Sequence, residues 1–169
     1  VLGALALLGC TAVHIVHSAN EPALARIELQ SWNQVHVDIE SAEAVTLELV
    51  GGKIEHVSVA LHGPITLRVL DGTSVQDLRV LSGTSAAQIE LVRATADALA
   101  IDGPAAQVLL RRSSLKHVSL AVQRIDLESS YILNAAWQAQ TLNASDATFQ
   151  RVRSASARRA ARFATRIAR

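Results

Sequence analysis

The chain has 169 residues and a mass of 18.0 kDa, room for one domain with an anchor or tail. Half of the residues are hydrophobic, yet only 3% are aromatic and none is Met, so the core must be aliphatic. Eight Gly and three Pro exclude collagen-like or linker-like material, the apolar content excludes general disorder, and the single Cys excludes an intrachain disulfide or a Cys-based zinc site. The net charge of +1 hides an asymmetry. Residues 151–169 carry seven Arg and no acid, whereas the other 150 residues carry nine Lys or Arg against fifteen Asp or Glu, a charge of −6.

Residues 1–20 contain no Asp, Glu, Lys or Arg. A membrane-spanning helix needs about 20 apolar residues. A secretory signal needs a shorter apolar run of roughly 7–15 behind a basic start. Leu7-Leu8-Gly9-Cys10 resembles the lipobox of bacterial lipoproteins. That resemblance implies a lipid on Cys10, which would become the mature N-terminus. The competing reading is a core helix or first strand with Cys10 as a small buried hydrophobe. The expectation taken forward is an N-terminal apolar helix over 1–20, acting as membrane anchor or lipoprotein-type signal. His14 and His17 would share a face of such a helix; without a carboxylate or thiolate beside them, they fit the interfacial end of an anchor better than a metal, haem or pigment.

Residues 21–29 read as a short helix or strand. Alternation then begins at Val35-His36-Val37-Asp38-Ile39 and Val45-Thr46-Leu47-Glu48-Leu49, expected to form a first or capping coil. From Lys53 onward one pattern recurs: apolar, two tolerant positions, apolar, one position, apolar. It starts at Ile54, Val75, Ala96 and Leu115, with a degraded copy expected at Ala139. Interleaved pairs lie at Ile65/Leu67, Ile89/Leu91, Val108/Leu110 and Ile125/Leu127, several preceded by Gly or Gly-Pro. One unit of about 20 residues cannot close a core alone, but stacked units bury a continuous aliphatic column at about 4.8 Å per coil. The fold class expected is all-β, a parallel β-helix (β-solenoid) over 21–152. An antiparallel sandwich is the alternative, since Asp71-Gly72 and Asp102-Gly103 are hairpin-type dipeptides.

A hydrophobic, lipobox-like start followed by short Val/Ile/Leu alternations resembles the head-GIN, auto-transporter-adhesin type of β-helical envelope lipoprotein, over roughly residues 1–130. That family's repeated Gly-Ser-Gly turns have their nearest counterpart in Ser82-Gly83-Thr84. Polymerising bactofilin scaffolds look similar in their regular β-helix. Both resemblances imply structural roles and no catalytic residue.

The tail, 153–169, is rich in Arg and Ala, which favour helix. Ala160, Phe163, Ala164 and Ile167 fall on one helical face, and Arg158, Arg162 and Arg166 form an i, i+4 row with Arg159 and Arg169 nearby. A basic amphipathic helix of this kind meets anionic lipid or an acidic protein surface, or caps the last coil with Phe163 and Ile167. Nucleic acid is the poorest fit beside an acidic body.

Catalytic patterns are sparse. His56 and His117 share a slot of the repeat three copies apart, about 14 Å, too far for one metal. Paired carboxylates are what glycoside chemistry requires, and Glu90 and Asp126 are expected on related strands two coils apart, about 10 Å. The expectation is therefore a non-enzymatic, cofactor-free, membrane-anchored structural or interaction subunit on the periplasmic or outer-surface side of a bacterial-type envelope, accessory to other protein subunits. A carbohydrate-binding or -cleaving β-helix and a self-polymerising scaffold are the alternatives.

Overall fold

The computed structural model describes residues 45–61 and 63–154, and before them four strands at the backbone alone: β1 (Leu5–Leu7), β2 (Ala12–His17), β3 (Ala23–Leu29) and β4 (Asn33–Ile39). β5 (Val45–Val50), β6 (Lys53–Leu61), β7 (Ile65–Leu70), β8 (Ser74–Leu81) and β9 (Ala87–Val92) follow. Then come the long strands β10 (Thr95–Arg111), β11 (Ser114–Glu128) and β12 (Tyr131–Ser145), and finally β13 (Thr148–Ser154). Every strand pairing is parallel. The chain is thus a β-solenoid with two ladders, and the sandwich alternative is excluded. The first ladder runs β1-β3-β5-β7-β9 and on through the second halves of β10, β11 and β12. The second runs β2-β4-β6-β8, through their first halves, to β13.

The repeat explains the ladders. Leu49, Val69, Leu91, Leu110 and Leu127 stack one above another on the first ladder, and Leu47, Leu67, Ile89, Val108 and Ile125 beside them. On the second, Ile54, Val75, Ala96, Leu115, Ile132 and Phe149 stack in register. All are buried. Apolar residues at every second place of a strand leave the intervening places outside. Where two tolerant positions intervene, as at Glu55-His56, the strand bends between two inward residues. No coil could hold its shape alone, because each inward side chain finds most of its contacts in the coils above and below.

The degraded copy expected at Ala139 lies elsewhere. The fifth and sixth copies begin at Ile132 and Phe149, so the starting positions 54, 75, 96, 115, 132 and 149 are 21, 21, 19, 17 and 17 apart. Ala139 is instead a buried corner residue one coil below Val122. The interleaved pairs also need one correction: Leu67, not Ile65, aligns with Ile89, because the coil holding Ser82–Ala86 has a longer corner.

From Val45 onward each coil turns from the first ladder to the second through a left-handed residue: Gly51 and Gly52, Asp71 and Gly72, then Arg93, Arg112, Ser129 and Asp146. Inside this corner Thr73, Ser113 and Ser130 are buried. The Ser113 hydroxyl donates to the Leu91 and Arg111 carbonyls, both at 3.0 Å, and that of Ser130 donates to the Leu110 and Glu128 carbonyls, both at 3.0 Å. The Ser113 N–H in turn donates to Ser130 Oγ at 3.2 Å. The hydroxyls thus tie neighbouring coils together at the corner, where the Arg111 and Glu128 carbonyls also accept the N–H groups of Arg93 and Arg112 at 2.9 and 2.8 Å.

Within residues 1–20, expected to be a helix, the described backbone at Leu5–Leu7 and Ala12–His17 is strand, paired with β3 and β4. The β-branched Val13, Ile15 and Val16 favour that state. Residues 21–29, open between helix and strand, hold β3. The first alternating runs belong to two neighbouring coils, β4 in one and β5 in the next. The strands continue to Ser154, into the segment assigned to the tail, while the expected tail helix lies outside the described residues. Among the described residues, no helix is long and apolar enough to cross a membrane.

Candidate interaction surface

The two outer faces differ in how their polar groups are used. On the first ladder one row of outward places alternates in charge over three coils, Glu48-Arg68-Glu90. Arg68 Nε donates to Glu90 Oε2 at 3.0 Å and Arg68 Nη1 to Glu48 Oε1 at 3.2 Å. The hydrogen bond to Glu48, then the charge of Glu90, raise the Arg68 pKa above its ordinary value. Further on, Arg124 holds Asp126 through two hydrogen bonds of 2.7 and 3.1 Å, which raise the Arg124 pKa, and Asn143 Nδ2 donates to the same carboxylate at 2.6 Å. Arg111 pairs with Glu128 at 2.7 Å. Opposite charges one coil apart, or two places apart on one strand as at Arg124 and Asp126, thus consume each other.

The outer face of the second ladder is recessed. Its middle outward ladder is small in these coils, Ala100 on β10, Ser119 on β11 and Ala136 on β12, while the ladders beside it mix the small Ala98 and Ala121 with the larger His117, Asn134, Asp102 and Gln138. Longer side chains close both ends, Arg79 and Leu81 on β8 and Arg151 and Arg153 on β13. The result is a shallow basin in two adjoining lobes of about 890 and 780 Å³, which share Arg79, Ala100, Ser119, Ala136 and Arg153. Leu81, 60% exposed, is one of three large hydrophobic side chains exposed among the described residues. Asp77 is engaged by His56 Nδ1 and Arg79 Nε, each at 3.0 Å. Arg151 and Arg153 are exposed, and among the described residues no ion pair reaches them.

His56 and His117 do share a ladder, with Asp77 and Ala98 between them. Glu90 and Asp126 also share one, separated by Leu109, but each is held by an Arg, and no aromatic side chain stands in that ladder. Among the described residues no three His, Cys, Asp or Glu gather as metal ligands would. His14 and His17 lie on β2, in register with His36 and Ile39. Cys10, Arg158, Arg159, Arg162, Phe163, Arg166, Ile167 and Arg169, singled out in the sequence, lie outside the described residues. The basin was not anticipated. Its signal is Ala and Ser in the outward slots of consecutive copies, which becomes readable only once the register of the last two copies is known.

No family model, curated protein or solved structure matches the chain.

Proposed function

We propose that the protein is a non-enzymatic structural or interaction subunit, a stiff solenoid that presents one recessed face to another protein. The observation that carries this reading is the contrast between the faces. Charges on the first ladder pair with one another, whereas among the described residues no ion pair reaches the basin's Arg151 and Arg153, and Leu81 is exposed beside them. A column whose inward slots are almost all aliphatic resists bending, because each coil is hydrogen-bonded to the next along its strands. Such a body suits a spacer or docking module.

Its place at an envelope membrane rests on the sequence: the charge-free run 1–20, the lipobox-like Leu7–Cys10 and the resemblance to envelope lipoproteins. Attachment through a lipid on Cys10 needs no helical span, and the mature chain would then begin after β1 and keep β2 as the start of its second ladder. Contact of the tail arginines with anionic lipid or an acidic protein surface belongs to the same reading.

The test is site-specific photo-crosslinking in the cells that make the protein, followed by detergent extraction. A crosslinker at Ala100, on the basin floor, is expected to capture a protein that one at Thr66, on the opposite outer face, does not. Intact mass of the extracted protein is expected to show lipid on Cys10. A uniformly soluble monomer, uncaptured from either position, overturns the reading.

A further inference from the structure

Resting on the docking reading, we infer that the occupant of the basin is an acidic amphipathic helix of a partner protein, lying along the strand direction with its apolar face down. The dimensions set the first condition. Arg79 and Arg153 stand in one outward ladder, Arg79-Ala100-Ser119-Ala136-Arg153, four coils apart. At about 4.8 Å per coil the end walls are about 19 Å apart. A helix with its side chains is about 10–12 Å across, which leaves room for one layer of charged side chains beside each wall. The floor sets the second. Methyl and hydroxymethyl groups at Ala100, Ser119 and Ala136 form a low strip down the middle of the floor, between His117 and Asn134 on one side and Asp102 and Gln138 on the other, where a backbone can approach closely and find apolar contact.

Charge selects the occupant. Arg151 and Arg153 open a stretch, 151–169, with seven Arg and no acid. Carboxylates on the flanks of a docked helix would meet them. A flat anionic bilayer would touch only the rim and leave the floor empty. The same face of a second copy is concave and presents the same exposed Arg151 and Arg153, so it neither fills the basin nor neutralises that end of it. The chain's own tail repels Arg151 and Arg153 by like charge. A glycan would find no exposed aromatic ring on the floor, since Trp137 lies beneath it, 8% exposed.

The experiment uses the full chain and a fluorescein-labelled 21-residue peptide carrying Leu on one helical face and Glu on the other. Binding is read by anisotropy at 0.05 and 0.5 M salt. The wild type is expected to bind, more weakly at high salt, and the same peptide with Lys for Glu is not. Arg151→Glu with Arg153→Glu, both exposed sites, is expected to weaken binding about tenfold or more. Ala100→Trp, which fills the floor without adding charge, is expected to do the same while circular dichroism and Tm stay those of the wild type. Vesicles of phosphatidylglycerol serve as the bilayer probe. The inference is overturned if the wild type does not bind the Glu peptide, or if Ala100→Trp leaves binding intact. It is equally overturned if vesicles bind as well as the peptide and respond only to the Arg reversals. Crosslinks from Ala100 to a partner without an acidic helix would sink this inference and leave the docking reading standing; absence of crosslinks sinks the docking reading itself.

Discussion

The coils from Val45 to Asp102 and those from Ala106 to Ser154 solve the same packing problem with different means. In the first region the corner from second to first ladder is a loop, Gly63-Pro64 in one coil and Ser82–Ala86 in the next, and the coils take 20 to 22 residues. In the second region β10, β11 and β12 run 17, 15 and 15 residues straight through that corner, and the coils shrink to 17. All eight Gly lie at or before Gly103. Shortening the corner removes one inward place per coil: Val45, Ile65, Ala87 and Ala106 stack, but exposed Gln123 and Gln140 fall next in that ladder. The narrower column is lined by Ala135, Ala139, Ala144 and Ala147, and two aromatic side chains fill what alanine leaves. Trp137 and Phe149 meet edge to face, centroids 5.4 Å apart at 71°. A solenoid can therefore change its girth without losing register, provided volume is restored by a few large side chains.

The sharpest way to break the comparison is to remove that plug. Trp137→Ala is expected to cost about 3–5 kcal/mol, since small neighbours cannot collapse into the space. The loss should be local, because each coil contacts only its neighbours. Hydrogen exchange should show protection lost over 131–154 and kept over 54–102. Equal loss throughout would mean that the two regions fold as one cooperative unit and differ only in shape. Leu67→Ala, in the wide region, is expected to cost about 2–5 kcal/mol and to spread its effect over coils on both sides.

The limits of the sequence reading follow the same division. The ΦxxΦxΦ pattern at Ile54, Val75, Ala96 and Leu115 was legible, since Val, Leu and Ile dominate its inward places. Past Leu115 the turn signal persists as Ser129-Ser130, but the inward places change. The true next start, Ile132, is followed by Ala135 and Trp137, which break the Val/Leu/Ile signature, while Leu142 two slots further on imitates it. The basin was lost with that register, because its floor is defined by Ala136 lying beneath Ser119. The first coils were hidden for another reason: a run free of charge satisfies the composition of a buried strand as well as that of a membrane anchor.

The seam between the regions is at Gly103. A Cβ there would fall 1.8 Å from Ser82 Oγ and 3.2 Å from the Ala106 Cβ. Gly103→Ala is expected to cost about 1–3 kcal/mol by overpacking. Ser82 has a fully buried hydroxyl without a hydrogen-bond partner, so Ser82→Ala alone should be neutral or slightly stabilising. In the double variant much of the Gly103→Ala cost should disappear, although a Cβ contact of 3.1 Å persists. Additive urea midpoints would show that the seam tolerates a side chain by moving backbone instead.

Left-handed corners sharpen the comparison at a smaller scale. Gly72, with φ of +78°, serves the wide region; Arg112, with φ of +49°, serves the narrow one. Gly72→Ala meets no atom within 4 Å, so its expected cost of about 1 kcal/mol is backbone strain alone. Arg112→Gly should gain a few tenths to about 1 kcal/mol, relief of strain being partly offset by a more flexible unfolded chain. Opposite signs of the Tm shift are the expected result. A loss at Arg112→Gly would show that its side chain contributes at the corner more than its backbone costs.

The smallest effect concerns the charge ladder of the wide region. Arg68 bridges carboxylates one coil above and one below, so Arg68→Ala leaves Glu48 and Glu90 without the cation between them. Its side chain is 40% exposed, and solvent and side-chain entropy discount the gain to about 1 kcal/mol or less. Because its pKa is raised, the guanidinium's contribution is complete at every pH below the ordinary Arg value and fades only above it. Salt, not alkali, is therefore the useful probe: the stability difference between Arg68→Ala and wild type should shrink between 0.05 and 0.5 M NaCl. Arg111→Ala in the narrow region breaks a single pair with Glu128 and should show a smaller difference with the same trend. If the two variants cost the same, bridging two coils adds nothing to pairing with one, and the outer charges serve only to keep that face from binding anything else.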